Sequence, residues 1–219
     1  TQVAALTATQ LGAISSTKFA ALDETQVGAL TATQVGALST LHLQALSNTE
    51  VSALDATQVA ALNGTQLRGF TATQLASLAS GDFAEFSASQ VAQFSTTQVR
   101  GLSDTNIAAL ADTQVAALTT AQVQALNTTN VNALSGTQVG ALTTTQAAAL
   151  TTTQLAALDS SDMLEFAETQ LAAMSVTQIK SISETNMAAL ADTQIAALTA
   201  TQVAALSTTV VQALTETQV

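Results

Sequence analysis

The sequence predicts an all-α fold: a solenoid or superhelix of very short capped helices, one per 8-residue repeat. Three observations predict it. A period of eight runs unbroken through all 219 residues, two places in each period are always apolar, and an N-capping residue is followed three residues later by Gln. Counting from Thr1, position 3 is apolar in all 28 copies, from Val3 to Val219, and position 6 in all 27, from Leu6 to Leu214. Position 2 is Gln in 19 of 28 copies, and position 7 is Ser, Thr, Asp or Asn in 23 of 27.

Other secondary structures fail on geometry. In a strand, side chains alternate between faces, so positions 3 and 6 would point to opposite sides. The Gln-x-Ala-Ala-Leu stretch is also poor in the β-branched and aromatic residues that strands favour. In one continuous helix, eight residues overshoot two turns by roughly 80°, and the apolar stripe would spiral around the rod without a partner. A helix that stops and restarts in each octad keeps both apolar positions together.

Its start is written at position 7. Thr7, Ser15, Asp23, Thr31, Ser39, Ser47, Asp55 and Asn63 each offer an oxygen to the N-terminus of a helix. Three residues later comes Gln, as at Gln10, Gln26, Gln34 and Gln58, whose side chain can reach back to the cap's own N–H, which completes a capping box. Thr7 with Gln10, Asp23 with Gln26 and Thr31 with Gln34 are therefore read as structural caps, each worth about 1 kcal/mol. Leu6 before the cap and Leu11 in the first turn supply the accompanying hydrophobic staple. Where position 7 is Ala (Ala79, Ala111, Ala167, Ala191), the next residue is Ser80, Asp112, Glu168 or Asp192, so a polar or acidic group still sits at the helix start. Of 15 acidic residues, 13 fall at positions 7, 8 or 2, where the helix dipole favours negative charge. Each helix should span about six or seven residues, roughly 10 Å. That is too short to stand alone in water, so the octads must stack on one another.

The expected core is the spine of positions 3 and 6, among them Leu6, Leu11, Ile14, Val27, Leu30, Phe83, Phe86 and Phe166. Aromatics are only 3% of the chain, with no Trp or Tyr, so that core is narrow and aliphatic. Ala and Gly at positions 4 and 5 let backbones approach. With 9% charged residues, solubility rests on Thr, Ser and Gln and on a net charge of −11.

Four Lys and Arg residues are too few for phosphate neutralisation, so no nucleic-acid partner is expected; anionic membrane surfaces are disfavoured on the same ground. No apolar run reaches the ~18 residues of a bilayer span, so no membrane insertion is expected. The chain has no Cys, which excludes disulfides. It has no linker either, and residues 1–219 read as a single octad-repeat solenoid. A second-order repeat of 80 residues lies over it (81–160 and 161–219). Ala108-Ala109-Leu110-Ala111-Asp112-Thr113-Gln114, for instance, returns as Ala188-Ala189-Leu190-Ala191-Asp192-Thr193-Gln194. The pattern opens at Thr1-Gln2-Val3 and closes at Thr217-Gln218-Val219, both in mid-octad, which reads as a segment of a longer array or as copies that abut end to end.

No catalytic constellation and no cofactor are expected. His42 is the only His; it replaces Gln at position 2 and reads as a cap-region polar group. Asp82 with Glu85, and Asp162 with Glu165, are weak candidates for calcium. Two carboxylates supply too few of the oxygens that ion needs, so they read as a solvated acidic face and no metal is assigned. Arg68, Arg100 and Lys180 at position 4 mark an outward face and are expected to pair weakly with acids of the next octad. The recurrent Thr-x-Thr, as in Thr143-Thr144-Thr145, raises ice binding, although capping already explains many of these hydroxyls.

The string Leu-Thr-Thr-Thr-Gln-Leu-Ala-Ala-Leu (150–158) resembles the tandem octapeptide arrays of large bacterial secreted and surface proteins of the adhesin or RTX-like kind, and the resemblance spans essentially the whole chain. It implies a spacer, stalk or filament segment of a giant extracellular protein, without catalysis, outside the cell or on its surface. The Leu-Thr-x-x-Gln-Val string also looks like the opening of a TAL-effector repeat, but that family's unit is about four times longer and carries a base-reading loop absent from this sequence. The alternative expectation is a solenoid that binds a protein, or its own copies, through a groove or through the Phe-rich stretches 70–94 and 163–174.

Overall fold

A computed structural model describes residues 2–214; Thr1 and the closing Thr217-Gln218-Val219 lie outside the described residues. A single 3-10 turn, Val3–Ala5, precedes 26 short α-helices, from α1 (Ala8–Gly12) to α26 (Thr208–Ala213), and no strand occurs among the described residues. The period of eight is exact, so helix αn begins at residue 8n.

Capping sets each start. Thr7 N–H donates to Gln10 Oε1 at 2.9 Å while Gln10 N–H donates to Thr7 Oγ1 at 3.2 Å. The same reciprocal pair joins Asp23 to Gln26 (2.9 and 2.8 Å) and Thr31 to Gln34 (2.7 and 3.3 Å). The Ala79, Ala111, Ala167 and Ala191 helices lack a side-chain cap, although Ala111 and Ala191 still donate their N–H to Gln114 and Gln194.

The helices span four to six residues, shorter than the six or seven that the spacing suggests. The position-6 N–H folds back onto the position-3 carbonyl, as Leu30 does to Val27 and Leu38 to Val35 at 3.1 Å, which tightens the last turn to the 3-10 form. The chain then runs extended through position 6 and the next cap, as at Leu46 (φ −67°, ψ 139°) and Ser47 (φ −69°, ψ 165°). Two extended residues per octad thus end one helix and aim the next. No described residue has a positive φ, so the reversal does not use the left-handed glycine that ends many helices.

The contacts divide the chain into two compact units, Thr1–Leu110 and Ala111–Val219. Their boundary does not coincide with the 80-residue offset. Within each unit a helix packs on the one three octads further on. In the first, α4 (Ala32–Gly36) meets α7 (Ala56–Ala60); in the second, α18 (Thr144–Ala147) meets α21 (Glu168–Ala173). Positions 3 and 6 fill the space between: Leu11, Val27, Val35, Phe83 and Leu155 are fully buried, and Leu30 and Phe166 nearly so. Leu6 and Ile14 are only partly buried, because they lie in the first described turn, with neighbours on one side.

Small residues let the turns close. A Cβ on Gly101 would lie 2.7 Å from Cβ of Ala72, 29 residues earlier. At the same offset the sizes are exchanged elsewhere: Gln93 lies over Gly64, and Glu165 over Gly136.

Candidate functional site, a buried amide ladder

The side chain at position 2 belongs to two turns at once. Gln58 Oε1 accepts from Asp55 N–H at 2.8 Å, which is its capping role. Its Nε2 donates to the carbonyls of Leu30 at 2.6 Å and Val27 at 3.3 Å, 28 and 31 residues earlier. Gln66, Gln74 and Gln98 in the first unit repeat this pattern, as do Gln146, Gln154 and Gln202 in the second. An offset of 28 residues divided by the eight-residue period is 3.5 octads, the length of one turn within either unit.

The physical logic is that of orphaned helix ends. Every helix leaves N–H groups unpaired at its start and carbonyls at its finish, and a chain of four-residue helices is mostly ends. One Gln amide pairs a donor at its own N-terminus and two acceptors at the C-terminus of the turn before. These Gln side chains are consequently buried, at 2–3% exposure for Gln58, Gln66, Gln74 and Gln98. Read from the octad alone, Gln is only a cap residue. The size exchange between positions 93 and 64, and between 165 and 136, is the signal in the sequence that points to a 29-residue neighbour.

Substitutions at position 2 sort by what they can donate. His42 keeps the rung: Nδ1 accepts from Ser39 N–H at 3.2 Å, Nε2 donates to Ile14 O at 2.7 Å, and the ring lies 4.9 Å from that of Phe19. It is thus a buried equivalent of Gln rather than a mere cap-region polar group. Asn106 and Asn186 are one methylene shorter and reach only the position-6 carbonyls, Leu78 and Leu158, at 2.9 and 2.8 Å. Glu50, Asp82 and Asp162 have no donor when ionised, and Val210 has none at all. Leu22, Leu54, Leu134 and Ile182 therefore receive no position-2 bond.

Val210→Gln should refill one gap. A cavity of about 60 Å³ lies between Ile179, Ile182, Met187, Leu206 and Val210, and Gln there would meet the Ile179 and Ile182 carbonyls and complete the capping box at Ser207. We expect a gain of about 1–2 kcal/mol, read as a higher urea midpoint at unchanged slope.

The other candidate residues form no second site. Burial pushes the Glu85 carboxyl above its ordinary range, with Asp82 and Asp55 adding repulsion, and its Oε2 is buried without a hydrogen-bond partner. Burial likewise raises Asp162; the Asp159 N–H opposes this, while the Asp159 and Glu165 charges add to it. Among the described residues no group of three or more His, Cys, Asp or Glu side chains is arranged to hold a metal. Arg68 pairs with an amide instead of the expected acid, donating from Nη1 to Gln93 Oε1 at 3.0 Å. Phe70, Phe83, Phe86, Phe94 and Phe166 are all buried, so the Phe-rich stretches offer no aromatic docking surface. No described helix is long and apolar enough to cross a membrane.

Short helices recurring at a fixed period, each tied to helices about one turn away, define a helical repeat protein of the solenoid class. The family model of the ALTTAQ repeat matches residues 3–40, 75–112, 107–144 and 115–152, together more than half of the chain, and the chain belongs to that family. No curated protein matches it.

Proposed function

We propose that the chain is a structural spacer, a stalk or filament segment of a giant extracellular bacterial protein that holds other segments away from the cell surface and performs no catalysis. The observation that carries this reading is the reach of the bonds. Within a unit, every amide rung joins residues 28–31 apart, so octads can be added without altering those already in place. The acidic, Cys-free composition and the octapeptide resemblance support the extracellular setting.

Inserting seven consensus octads, two turns, inside one unit tests it. The helical circular-dichroism signal per residue should stay constant. The maximum dimension from X-ray scattering should grow by a fixed increment per insertion, at every protein concentration. Unfolded inserts would overturn the reading, and growth that depends on concentration would favour a self-assembling solenoid instead.

A further inference from the structure

The gaps in the amide ladder are not random in chemistry: three of the four hold an acid. A protonated carboxyl, like the neutral His42 ring, matches an amide, with an oxygen to accept and an O–H to donate. We propose that Asp162 is a proton-operated rung, which on taking up a proton from solvent donates its O–H to the Leu134 carbonyl and joins two successive turns of the second unit.

The register is that of an amide rung. Asn186, in the same unit and of the same length, donates Nδ2 to Leu158 O, 28 residues earlier, at 2.8 Å. Asp162 stands at the same offset from Leu134. One carboxylate oxygen, Oδ2, accepts from Asp159 N–H at 3.4 Å, as Asn and Gln oxygens do in other octads, so the other oxygen is the counterpart of the amide nitrogen that Asn186 uses. The counterparts of Leu134 at Leu118, Leu126, Leu150 and Leu158 each receive a position-2 amide; the residue in that register with Leu134 is Asp162. Ionised, that carboxyl has no proton to offer a carbonyl. Protonated, it completes the row.

The surrounding charges act in the same direction. Its own octad contributes Asp159 and Glu165. Of the elements packed against its helix, Ser160–Leu164, α17 (Gly136–Gly140) carries no titratable side chain, while α23 (Glu184–Ala189) and α24 (Asp192–Ala196) bring Glu184 and Asp192. Burial and like charge hold the Asp162 carboxyl above its usual range. A carboxyl raised by folding binds its proton more tightly in the folded chain. Its contribution to stability is therefore complete below the unfolded carboxyl's range and is lost as pH rises through the folded value.

Carbonyl carbon NMR reads the bond itself. Between pH 7 and about pH 4 the Leu134 carbonyl resonance should move together with the Asp162 carboxyl carbon, while Leu150, held by the Gln178 amide, stays still. In Asp162→Asn the Leu134 resonance should sit at its bonded position at both pH values. That variant should also have a higher Tm at pH 7, with the difference from the parent shrinking toward pH 4. A Leu134 carbonyl that stays still while Asp162 titrates would show charge relief alone and overturn the proposal, as would Asp162→Asn bringing no gain at pH 7. Should the variant fail to fold, the titration of the parent chain decides by itself.

Discussion

Replacing Gln98 with Met destabilises the first unit by about 3–5 kcal/mol, one of the two largest single-residue losses we expect. Met matches Gln in length and fills the same volume, so packing changes little and the loss reports polar pairing. Gln98 Oε1 accepts from Ser95 N–H at 2.7 Å, and Nε2 donates to Leu67 O at 2.8 Å and Phe70 O at 2.7 Å. All of this lies in a side chain only 3% exposed. Removing the amide strands one buried donor and removes a partner from two buried carbonyls, and a stranded group costs more than a made bond contributes. Because rungs reach only one turn, the damage should stay local. Amide exchange should accelerate around residues 67–70 and 95–98 and remain at parent rates near Gln34 and Val35. Uniform acceleration across the unit would show that the rungs are not the unit of cooperativity.

Phe83→Ala carries the other large effect, again about 3–5 kcal/mol. Phe83 is fully buried, with ring centroids 5.7 Å from Phe86 and 6.3 Å from Phe94, and those two lie 5.2 Å from each other. Truncation leaves a void beside two large rings, each followed directly by a capping box, at Ser87 and Ser95, so collapse is limited. Phe83→Leu, which restores the common position-3 type, should lose only about 1–2 kcal/mol. Chemical denaturation of the two variants separates the outcomes. Equal losses would mean that the aromatic cluster itself, and not its volume, stabilises this segment.

Most of the local structure was legible from the octad. The Thr7 and Asp23 boxes, the staple residues and the apolar spine all follow from interactions within about six residues of chain, and such interactions leave a pattern of matching length. Helix length was overestimated because the fold-back of position 6 onto position 3 is a backbone preference that no side chain advertises. Arg68 was expected to meet an acid. Its neighbour is Gln93, 25 residues on, at a distance in sequence that the octad does not encode.

The amide ladder was hidden for the same reason. Gln at position 2 satisfies the capping box, so nothing within one repeat calls for a second role. The turn length of 3.5 octads places the Leu30 carbonyl over Gln58 and the Leu67 and Phe70 carbonyls over Gln98. That length follows from how two extended residues re-aim each helix and from how closely Ala and Gly let turns approach. Its trace in sequence is faint: glycine at 64 and 136 beneath long side chains at 93 and 165.

By itself, then, the amino-acid order determined that this chain forms short capped helices with an aliphatic spine, because caps, staples and apolar spacing act between residues close together along the chain. Only the tertiary structure decided which carbonyls each Gln amide meets, why His42 can stand in for Gln, and where Glu50, Asp82, Asp162 and Val210 interrupt the ladder. Those outcomes depend on the angle and rise between successive helices, which are set by packing summed over many octads and by no single repeat.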